Sequence, residues 1–306
     1  MIKKASVAGA SGYIGKQLVQ VLLNLGIEVN VLTRRQSYHL KNVNLFVGDV
    51  TDSNHNFSDF FFGTDVFFNC IGENYQENKM YDVHVKGTDN LAKFFENKHW
   101  IQLSSIAVYG EINNELVDED HKKNPKSVYH KTRLLCEDRL IYHSRIKEFK
   151  YTILRPSKII GKESSDESIN LLERFISNKL FFYIGPKGAS FNYIYDKDVI
   201  NALIICMKNT KSKNSIYNLS DYLSLEEAVE KIKKIKNLKY YTIRFPMFII
   251  MPIISILNLI PYFPLSMKQV RGLTTRAKFS TKKIEDELGF SITMKIGEVL
   301  EKIVKN

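Results

Sequence analysis

Three glycines near the start of the chain, in the sequence GASGYIG at residues 9–15, have the spacing of a phosphate-binding loop. Gly9 permits a sharp turn after a strand, Gly12 lets backbone amides approach a pyrophosphate, and Gly15 lets a following helix pack closely on the sheet. The N-terminus of that helix adds N–H donors and partial positive charge, which favour an anion. A strand before the loop and an amphipathic helix after it therefore predict a dinucleotide site. The candidate contacts are Gly9, Ser11, Gly12, Tyr13, Ile14 and Gly15.

Two arginines, Arg34 and Arg35, follow Thr33 at the end of the second strand-like segment. A carboxylate at this point would accept hydrogen bonds from the ribose hydroxyls of NAD, and the sequence has none there. A guanidinium instead suits bidentate contact with a 2′-phosphate. We therefore expect NADP as the cofactor, with NAD as the alternative. The other interpretation of these arginines is that they are solvated loop residues.

The elements that position these residues alternate along the first half of the chain. A strand is predicted at 3–8 and a helix at 13–25, where apolar residues recur at helical spacing until Gly26. Further strands are predicted at 28–33, 43–47, 65–71, 99–104 and 150–155, and helices at 80–97 and 127–145. Strands separated by helices predict an α/β fold of the Rossmann type, a doubly wound parallel sheet with right-handed crossovers.

After Pro156 the pattern becomes mixed. Helices are predicted at 168–179, 196–209 and 281–288, and strands at 191–195 and 215–219. Ser224, with Glu227 three positions later, has the pattern of a capping box that begins a helix. We expect a dinucleotide-binding domain over 1–165, to which 191–220 returns, and a smaller mixed substrate-binding lobe formed by 166–190 and 221–306.

Composition excludes several classes of protein. Hydrophobic residues make up 44% of the chain, enough for a core without disulfides, and the cysteines Cys70, Cys136 and Cys206 are far apart in apolar segments. We expect reduced thiols and a cytoplasmic protein. The net charge of +11 comes without zinc-finger spacing or an RNA-binding aromatic signature, so no nucleic-acid partner is expected. No residue cluster has metal-ligand spacing, and no metal is predicted.

An apolar stretch at 245–265 is interrupted by four prolines, and the runs between them are short for a membrane-spanning helix. We expect it to be a buried segment of the substrate lobe. The alternative is a peripheral membrane contact, supported by the basic run at 231–239, which would make the protein membrane-associated.

Seven motifs, in one order along nearly the whole chain, resemble the extended short-chain dehydrogenase/reductases of the NAD-dependent epimerase/dehydratase type. They are GASGYIG at 9–15, GDVTD at 48–52, VKGTDNL at 85–91, LSSIAVYG at 103–110, YHKTR at 129–133, LRPSKIIG at 154–161 and FNYIYDKDVINAL at 191–203. The resemblance implies an enzyme. It also implies that Asp49 and Val50 lie against the adenine, that Cys70, Ile71 and Gly72 pass under the ribose and pyrophosphate, and that Pro156 belongs to the cofactor site.

The same resemblance assigns catalytic roles to Ser105 and Tyr129, which are 24 residues apart. Hydride transfer at a carbinol or ketone carbon requires proton transfer at its oxygen, and a tyrosine can be the acid and base. A phenol ionises far above neutral pH, so a fixed positive charge beside it is needed to favour the phenolate. Ser105 can hydrogen-bond the reacting oxygen and orient it.

The family's usual cation is a lysine four residues after the tyrosine, and this chain has Arg133 there, while Lys131 points elsewhere on the helix. We expect Arg133 to replace that lysine in catalysis and in binding the cofactor ribose. The alternative is a non-catalytic NADP-binding protein. Two positions where the family often has asparagine carry His84, expected to be structural, and Lys158, a candidate for a substrate phosphate.

The C-terminal part resembles nucleotide-sugar enzymes of surface-polysaccharide synthesis. Arg271 and Arg276 are candidates for the nucleotide diphosphate, because planar guanidiniums match phosphate geometry. The family's usual phosphate-binding arginine is replaced in this chain, where Phe191 and Asn192 stand. The favoured function is NADPH-dependent reduction of a 4-keto-6-deoxy sugar nucleotide, with a nucleotide-sugar 4-epimerase as the alternative. A homodimer is left open.

Overall fold

The computed structural model describes residues 2–34, 40–112, 115–162, 168–257 and 267–305. Its strands are β1 (Lys4–Ala8), β2 (Glu28–Thr33), β3 (Asn44–Val47), β4 (Val66–Asn69), β5 (His99–Leu103), β6 (Leu116–Val117), β7 (Lys150–Pro156), β8 (Lys158–Ile160), β9 (Tyr183–Ile184), β10 (Ser190–Tyr195), β11 (Ser215–Leu219), β12 (Asp221–Ser224), β13 (Arg244–Phe245) and β14 (Lys278–Phe279).

Its α-helices are α1 (Tyr13–Asn24), α2 (Ser58–Phe61), α3 (Glu77–Tyr81), α4 (Gly87–Ala92), α5 (Val128–Ile146), α6 (Ser168–Ser177), α7 (Asp196–Lys208), α8 (Leu225–Ile235), α9 (Met247–Leu257), α10 (Met267–Thr274), α11 (Lys282–Leu288) and α12 (Ile296–Lys305). A π-helical segment, Asp82–Lys86, joins α3 to α4, and 3₁₀ turns lie at Ile106–Tyr109 and Thr210–Ser212.

Seven of the described strands form a parallel sheet in the order β11-β7-β5-β4-β1-β2-β3. From β1 the chain moves outward to β3, then crosses back to β4 on the other side of β1. This reversal places a crevice at the carboxyl ends of β1 and β4, where doubly wound sheets bind their ligands. The predicted Rossmann-type fold is confirmed.

Helices cover both faces of this sheet, which is why its central strands are apolar without alternation. On one face, α1 and α7 contribute Leu18, Leu22 and Leu203 to a buried cluster. On the other face the core is aromatic, and the Phe67 and Trp100 rings lie 4.6 Å apart edge to face. Buried clusters therefore pack against both faces of the large sheet.

The remaining strands form small sheets, β12-β10-β8, β13-β9 and β14-β6. The first packs with α6, α8 and α12 around a second core that includes Tyr183 of β9, whereas Val117 and Phe279 of β14-β6 pack with Tyr109 in a separate cluster. The predicted capping box is present, since Ser224 Oγ accepts from the Glu227 N–H and the Glu227 carboxylate accepts from the Ser224 N–H. Strand β11 joins the large sheet beside β7, whereas β10 pairs with β8 and β12.

Within the apolar stretch at 245–265 that was predicted to be buried, Met247–Leu257 forms α9, whose described residues are covered on one side, and 258–265 lie outside the described residues. Ile250 and Ile254 are buried, while Phe248, Ile253 and Ile256 are exposed. Across the described ranges, every helix is too short or too polar to cross a membrane. The expectation of a fully buried segment is therefore wrong for α9.

Candidate active site

The glycine loop joins β1 to α1 and adopts the conformation that its residue types permit. Gly9 has φ +81°, and a Cβ on Gly15 would overlap the Gly9 carbonyl oxygen. Gly12 is the N-cap of α1, and no side chain caps the first turn. The first N–H groups of α1 therefore point into a cradle that only glycines keep open, which fits a pyrophosphate.

Two further loops border this cradle at the same edge of the sheet. Cys70 follows β4, and a Cβ on Gly9 would lie 2.7 Å from the Cys70 carbonyl carbon. After β3, the Asp49 carboxylate accepts hydrogen bonds from the N–H and hydroxyl of Thr51, at 2.9 and 2.8 Å. Val50 is buried, and its carbonyl accepts from Asn90 Nδ2 at 2.9 Å. The loops that the resemblance assigns to the cofactor thus converge on the glycine loop.

The other candidate cofactor residues differ in their surroundings. Tyr13 donates its hydroxyl to Asp196 Oδ2 at 2.5 Å, and Gln17 donates to the same oxygen at 3.1 Å. This joins α1 to the start of α7. Arg34 is exposed at the end of β2, while Arg35 lies outside the described residues. Pro156 is buried at the end of β7, opposite Leu219.

The catalytic candidates lie on α5 and on the loop after β5. Ser127 caps α5 by accepting from the His130 N–H at 3.2 Å, which places Tyr129 in the first turn. Ser105 begins the 3₁₀ turn Ile106–Tyr109, against which α5 packs, and its hydroxyl accepts from the Ala107 N–H at 3.2 Å. Ser105 and Tyr129 are both half-buried, so both remain accessible to a substrate.

Arg133 lies one turn after Tyr129, with its guanidinium carbon 5.4 Å from the centre of the tyrosine ring. Its Nη1 donates to the carbonyls of Ile71 and Leu103, at 3.2 and 3.4 Å. A Cβ on Gly72 would overlap Arg133 Nη2. The buried cation therefore bridges the ends of β4 and β5 and reaches the loop assigned to the ribose. Its Nε has no hydrogen-bond partner among the described residues.

His84 supports this arrangement from the π-helical segment, as expected of a structural residue. Its Nε2 accepts from the Glu73 N–H at 2.9 Å, so the proton of the neutral ring lies on Nδ1, which donates to Thr132 Oγ1 at 2.9 Å. Burial, reinforced by the positive charge of Arg133, lowers the pKa of His84 to about 3. The ring therefore stays neutral beside the catalytic helix.

A buried ion pair that the sequence analysis missed fixes α5 to the sheet. Arg155 donates from Nε and Nη2 to Glu137, at 3.0 and 2.6 Å, and Ser104 donates to the same carboxylate at 2.6 Å. Arg155 Nη1 donates to Tyr109 Oη at 2.7 Å, and Tyr109 donates to Asn218. Fully hydrogen-bonded charges of this kind can remain buried. Both partners lie in the recognised motifs or beside them, but no local spacing links positions 137 and 155.

The substrate-binding candidates are spread over the smaller lobe. Lys158 is exposed on β8, with Nζ 5.6 Å from the centre of the Tyr193 ring. Arg276 donates to the carbonyls of Lys187, Thr274 and Pro186, at 3.4, 3.0 and 2.7 Å. Arg271 is in α10, and its side chain lies outside the description. Phe191 is buried, and Asn192 Nδ2 donates to the Ala277 carbonyl at 2.9 Å.

A cavity of about 390 Å³ lies beside Arg276. Its lining residues are Glu115, Leu116, Lys187, Gly188, Arg276 and Lys278. Three cations and one carboxylate border it, so its charge suits a phosphorylated ligand. The described residues contain no group of three or more His, Cys, Asp or Glu side chains placed to hold a metal ion.

The sheet, the glycine cradle and the α5 side chains define a Rossmann-type dinucleotide-dependent enzyme. The chain belongs to the NAD dependent epimerase/dehydratase family, whose model matches residues 5–220. The predicted family and enzymatic character are thus confirmed. The cofactor class, a nicotinamide dinucleotide, is confirmed as well, while the preference for NADP over NAD stays a prediction.

Similar proteins are named as 4-epimerases. The chain is 27% identical over 252 residues to the N-acetyl-alpha-D-glucosaminyl-diphospho-ditrans,octacis-undecaprenol 4-epimerase of Escherichia coli O157:H7, covering 78% of this chain and 74% of that protein. It is 27% identical over 232 residues to a putative UDP-glucose 4-epimerase of Methanocaldococcus jannaschii, covering 70% and 75%. The structure of UDP-glucuronic acid 4-epimerase from Bacillus cereus superposes with a TM-score of 0.75 at 17% identity, over 99% of this chain and 98% of that one.

Proposed function

We propose that this protein is a 4-epimerase of a sugar carried on a diphosphate. The observation that carries the proposal is the position of Ser105, Tyr129 and Arg133 on adjacent elements at the carboxyl edge of the parallel sheet. A bound nicotinamide dinucleotide supplies hydride transfer. Tyr129 then takes the proton of the sugar hydroxyl during oxidation and returns it during reduction, while Ser105 orients that oxygen.

The names of two relatives support epimerisation. The Escherichia coli and Methanocaldococcus jannaschii proteins are both named 4-epimerases and align over more than two thirds of this chain. The cations around the cavity at Arg276 support a diphosphate on the substrate, since Lys187 and Lys278 line it too. Arg276 is held by three backbone carbonyls, so it contributes fixed charge at the cavity wall.

A second candidate function is NADPH-dependent reduction of a 4-keto-6-deoxy sugar nucleotide. Arg34 favours it, because this exposed guanidinium ends β2 where a carboxylate would otherwise bind the ribose of NAD. A preference for NADPH would suit a reductase, which consumes one NADPH and releases one NADP⁺ at every turnover.

Incubation with sugar nucleotides distinguishes the candidates. UDP-glucose and UDP-N-acetylglucosamine would be incubated with the purified protein, and the products separated by chromatography and identified by NMR. Formation of the 4-epimer without net cofactor consumption is the result expected. Stoichiometric NADPH loss with a 4-keto-6-deoxy sugar nucleotide, and no epimer, would favour the reductase. Dinucleotide binding with neither reaction would favour the non-catalytic alternative.

Tyr129→Phe tests the proton-transfer role directly. Removal of the phenolic hydroxyl should lower kcat by about 100-fold or more, because general acid–base catalysis typically contributes that much. Tyr142→Phe is the matched control, since Tyr142 lies on the same helix with its side chain exposed. Equal activity of the two variants would contradict the assignment of Tyr129.

A further inference from the structure

Helix α9 has an unusual composition for a surface helix. Its sequence, MFIIMPIISIL, contains no charged residue, and Ser255 is its only hydroxyl-bearing residue. Ile250 and Ile254 pack against Ile184 and Val270 on the protein side. Helices that are apolar all round are normally buried on every side. Among the described residues, Ile250 and Ile254 of this helix are buried, while Phe248, Ile253 and Ile256 are exposed.

The uncovered side of α9 is large and apolar. Phe248 is 77% exposed and Ile256 is 65% exposed, and Ile253, three residues before Ile256, is exposed as well. Single exposed apolar residues are ordinary on protein surfaces, whereas contiguous patches indicate a binding partner.

Exposed apolar side chains also lie along the β13-β9 ribbon, which leads directly into α9. The Ile243 carbonyl accepts from the Tyr183 N–H at 2.9 Å, which places the residues before β13 alongside those before β9. Tyr241 is 89% exposed, Leu180 is 61% exposed, and Ile243 is exposed as well. We call Leu180, Tyr241, Ile243, Phe248, Ile253 and Ile256 the apolar face.

The charge around the apolar face is positive. Residues 231–284 contain 12 Lys and Arg residues and no Asp or Glu. Within the described part, Lys239 is exposed two positions before Tyr241, and Lys179 is exposed next to Leu180. Four of the 12 cations do not contribute in the same way, because each pairs with a glutamate: Lys231 with Glu301, Lys233 with Glu230, Lys236 with Glu173 and Arg244 with Glu226. Exposed lysines at the edge of an apolar patch complement an anionic surface.

We propose that the apolar face docks on a bilayer containing anionic lipids. An 11-residue helix is about 16 Å long, roughly half the thickness of the hydrocarbon core. In the proposed docking, α9 therefore lies in the interface and does not span the bilayer. Phe248, Ile253 and Ile256 enter the boundary between headgroups and acyl chains, and Lys179 and Lys239 contact the anionic headgroups.

The proposed docking would also bring the cationic cavity close to the membrane. A Cβ on Gly185 would lie 3.8 Å from Met247 at the start of α9 and 3.7 Å from Arg276. Arg276, Lys187 and Lys278 line the cavity. This consequence rests on the proposed function: a sugar diphosphate attached to a membrane lipid would enter the cavity from the bilayer surface. The docking itself does not depend on that function.

Vesicle co-sedimentation of the full chain tests the proposal. We expect binding to phosphatidylcholine vesicles that contain about 30 mol% phosphatidylglycerol, and at least about tenfold weaker binding to pure phosphatidylcholine. The double variant Phe248→Ser, Ile256→Ser should lose at least about tenfold in partition coefficient, because both side chains would insert. Lys239→Glu should weaken binding at low salt and have little effect at high salt.

The matched control is Phe62→Ser, which changes an aromatic residue that is 80% exposed at the end of α2, outside the apolar face. It should bind vesicles like the unmodified protein, and circular dichroism should show that all variants fold. No binding of the unmodified protein to anionic vesicles, or an equal loss in Phe62→Ser, would overturn the proposal. So would a dimer in analytical ultracentrifugation that the double variant dissociates, without vesicle binding, since a second copy would then cover the face.

Discussion

Arg133 is the proposed catalytic residue at which this chain departs from the family's usual lysine, and its contacts suit an arginine. The guanidinium donates to the Ile71 and Leu103 carbonyls while its carbon stays 5.4 Å from the centre of the Tyr129 ring. An ammonium could approach only one of these regions at a time, whereas a planar fork can contact several. The arginine can therefore combine a structural contact with the fixed charge that a phenolate needs.

Replacement of Arg133 should separate these two roles. We expect Arg133→Ala to lower kcat/KM by about 100-fold or more and to weaken dinucleotide binding, because the fixed positive charge beside Tyr129 is lost. Arg133→Lys should recover part of the activity, since it restores the charge without the fork. Steady-state kinetics and fluorescence titration with NADH and NADPH measure both effects.

Lys131→Ala is the control for the loss of a cation from α5, because Lys131 is exposed two residues after Tyr129. It should leave both measurements close to those of the unmodified protein. If Arg133→Ala behaves like Lys131→Ala, Arg133 does not replace the family's lysine, and the non-catalytic alternative gains support.

At the scale of the elements, the turn from β1 to α1 depends on two glycines for different reasons. Gly9 needs its positive φ, and Gly15 needs the absence of a Cβ, because the Gly9 carbonyl oxygen occupies that space. Gly272 in α10 is a useful contrast, since a Cβ there would meet no atom within 4 Å. The same substitution should therefore have opposite effects at Gly15 and Gly272.

We expect Gly15→Ala to lower the free energy of unfolding by about 1–3 kcal/mol through overpacking and to weaken dinucleotide binding, because the cradle must shift. Gly272→Ala should raise the free energy of unfolding by about 0.5–1 kcal/mol, as alanine favours a helix. Urea unfolding and cofactor titration measure these changes. Equal dinucleotide affinity in both variants would mean that the tight turn is not required for binding.

Some of the strands and helices could be predicted from the sequence, and others could not. The central strand β4, VFFN, is buried at every residue, so its apolar run was recognisable and its position was predicted to within a few residues. The π-helical segment Asp82–Lys86 was not predicted, because helical periodicity does not distinguish one type of turn from another. Strands β9 and β13 have two residues each and exist through their pairing with each other, which no local pattern reveals.

The candidate site divides in the same way. Ser105 and Tyr129 are proposed as catalytic because the family motifs carry them. Ser105 begins the 3₁₀ turn against which α5 packs, and Tyr129 lies in the first turn of α5. The Glu137–Arg155 ion pair could not be predicted, because it joins α5 to β7 across 18 residues and forms only when the helix packs on the sheet. Contacts made by tertiary packing, including the bond from Tyr13 to Asp196, leave no signal in residue spacing.

At the scale of the whole molecule, we propose the division into a dinucleotide-binding domain, 1–165 with 191–220, and a substrate lobe, 166–190 with 221–306. Support comes from β11, which returns to the large sheet beside β7, and from α7, whose Asp196 accepts from Tyr13 of α1. Strand β10, which pairs with β8 and β12, connects the two parts. The chain thus crosses between the parts several times, so their unfolding should be coupled.

Stability of the whole molecule should fall in acid because two histidines are buried in neutral form. Burial is the main cause that lowers the pKa of His84 to about 3 and that of His99 to about 4, from the ordinary value of 6.5. Between these pKa values and pH 6.5 the unfolded chain binds more protons than the folded one, so the free energy of unfolding decreases as pH falls. At pH 4, each histidine should lower the free energy of unfolding by about 3 kcal/mol relative to neutral pH.

Substitution of His99 isolates this effect because His99 lies on β5, where its Nε2 contacts Thr152 Oγ1 at 2.8 Å, away from the catalytic residues. His99→Gln should reduce the slope of unfolding free energy against pH by up to about 1.4 kcal/mol per pH unit between pH 6 and 4, the effect of one proton. Urea unfolding at several pH values measures the slope. His121→Gln, at a partly exposed histidine, controls for the substitution itself. Parallel profiles for His99→Gln and the unmodified protein would show that His99 does not take up its proton on unfolding, and acid sensitivity would then have to come from other groups.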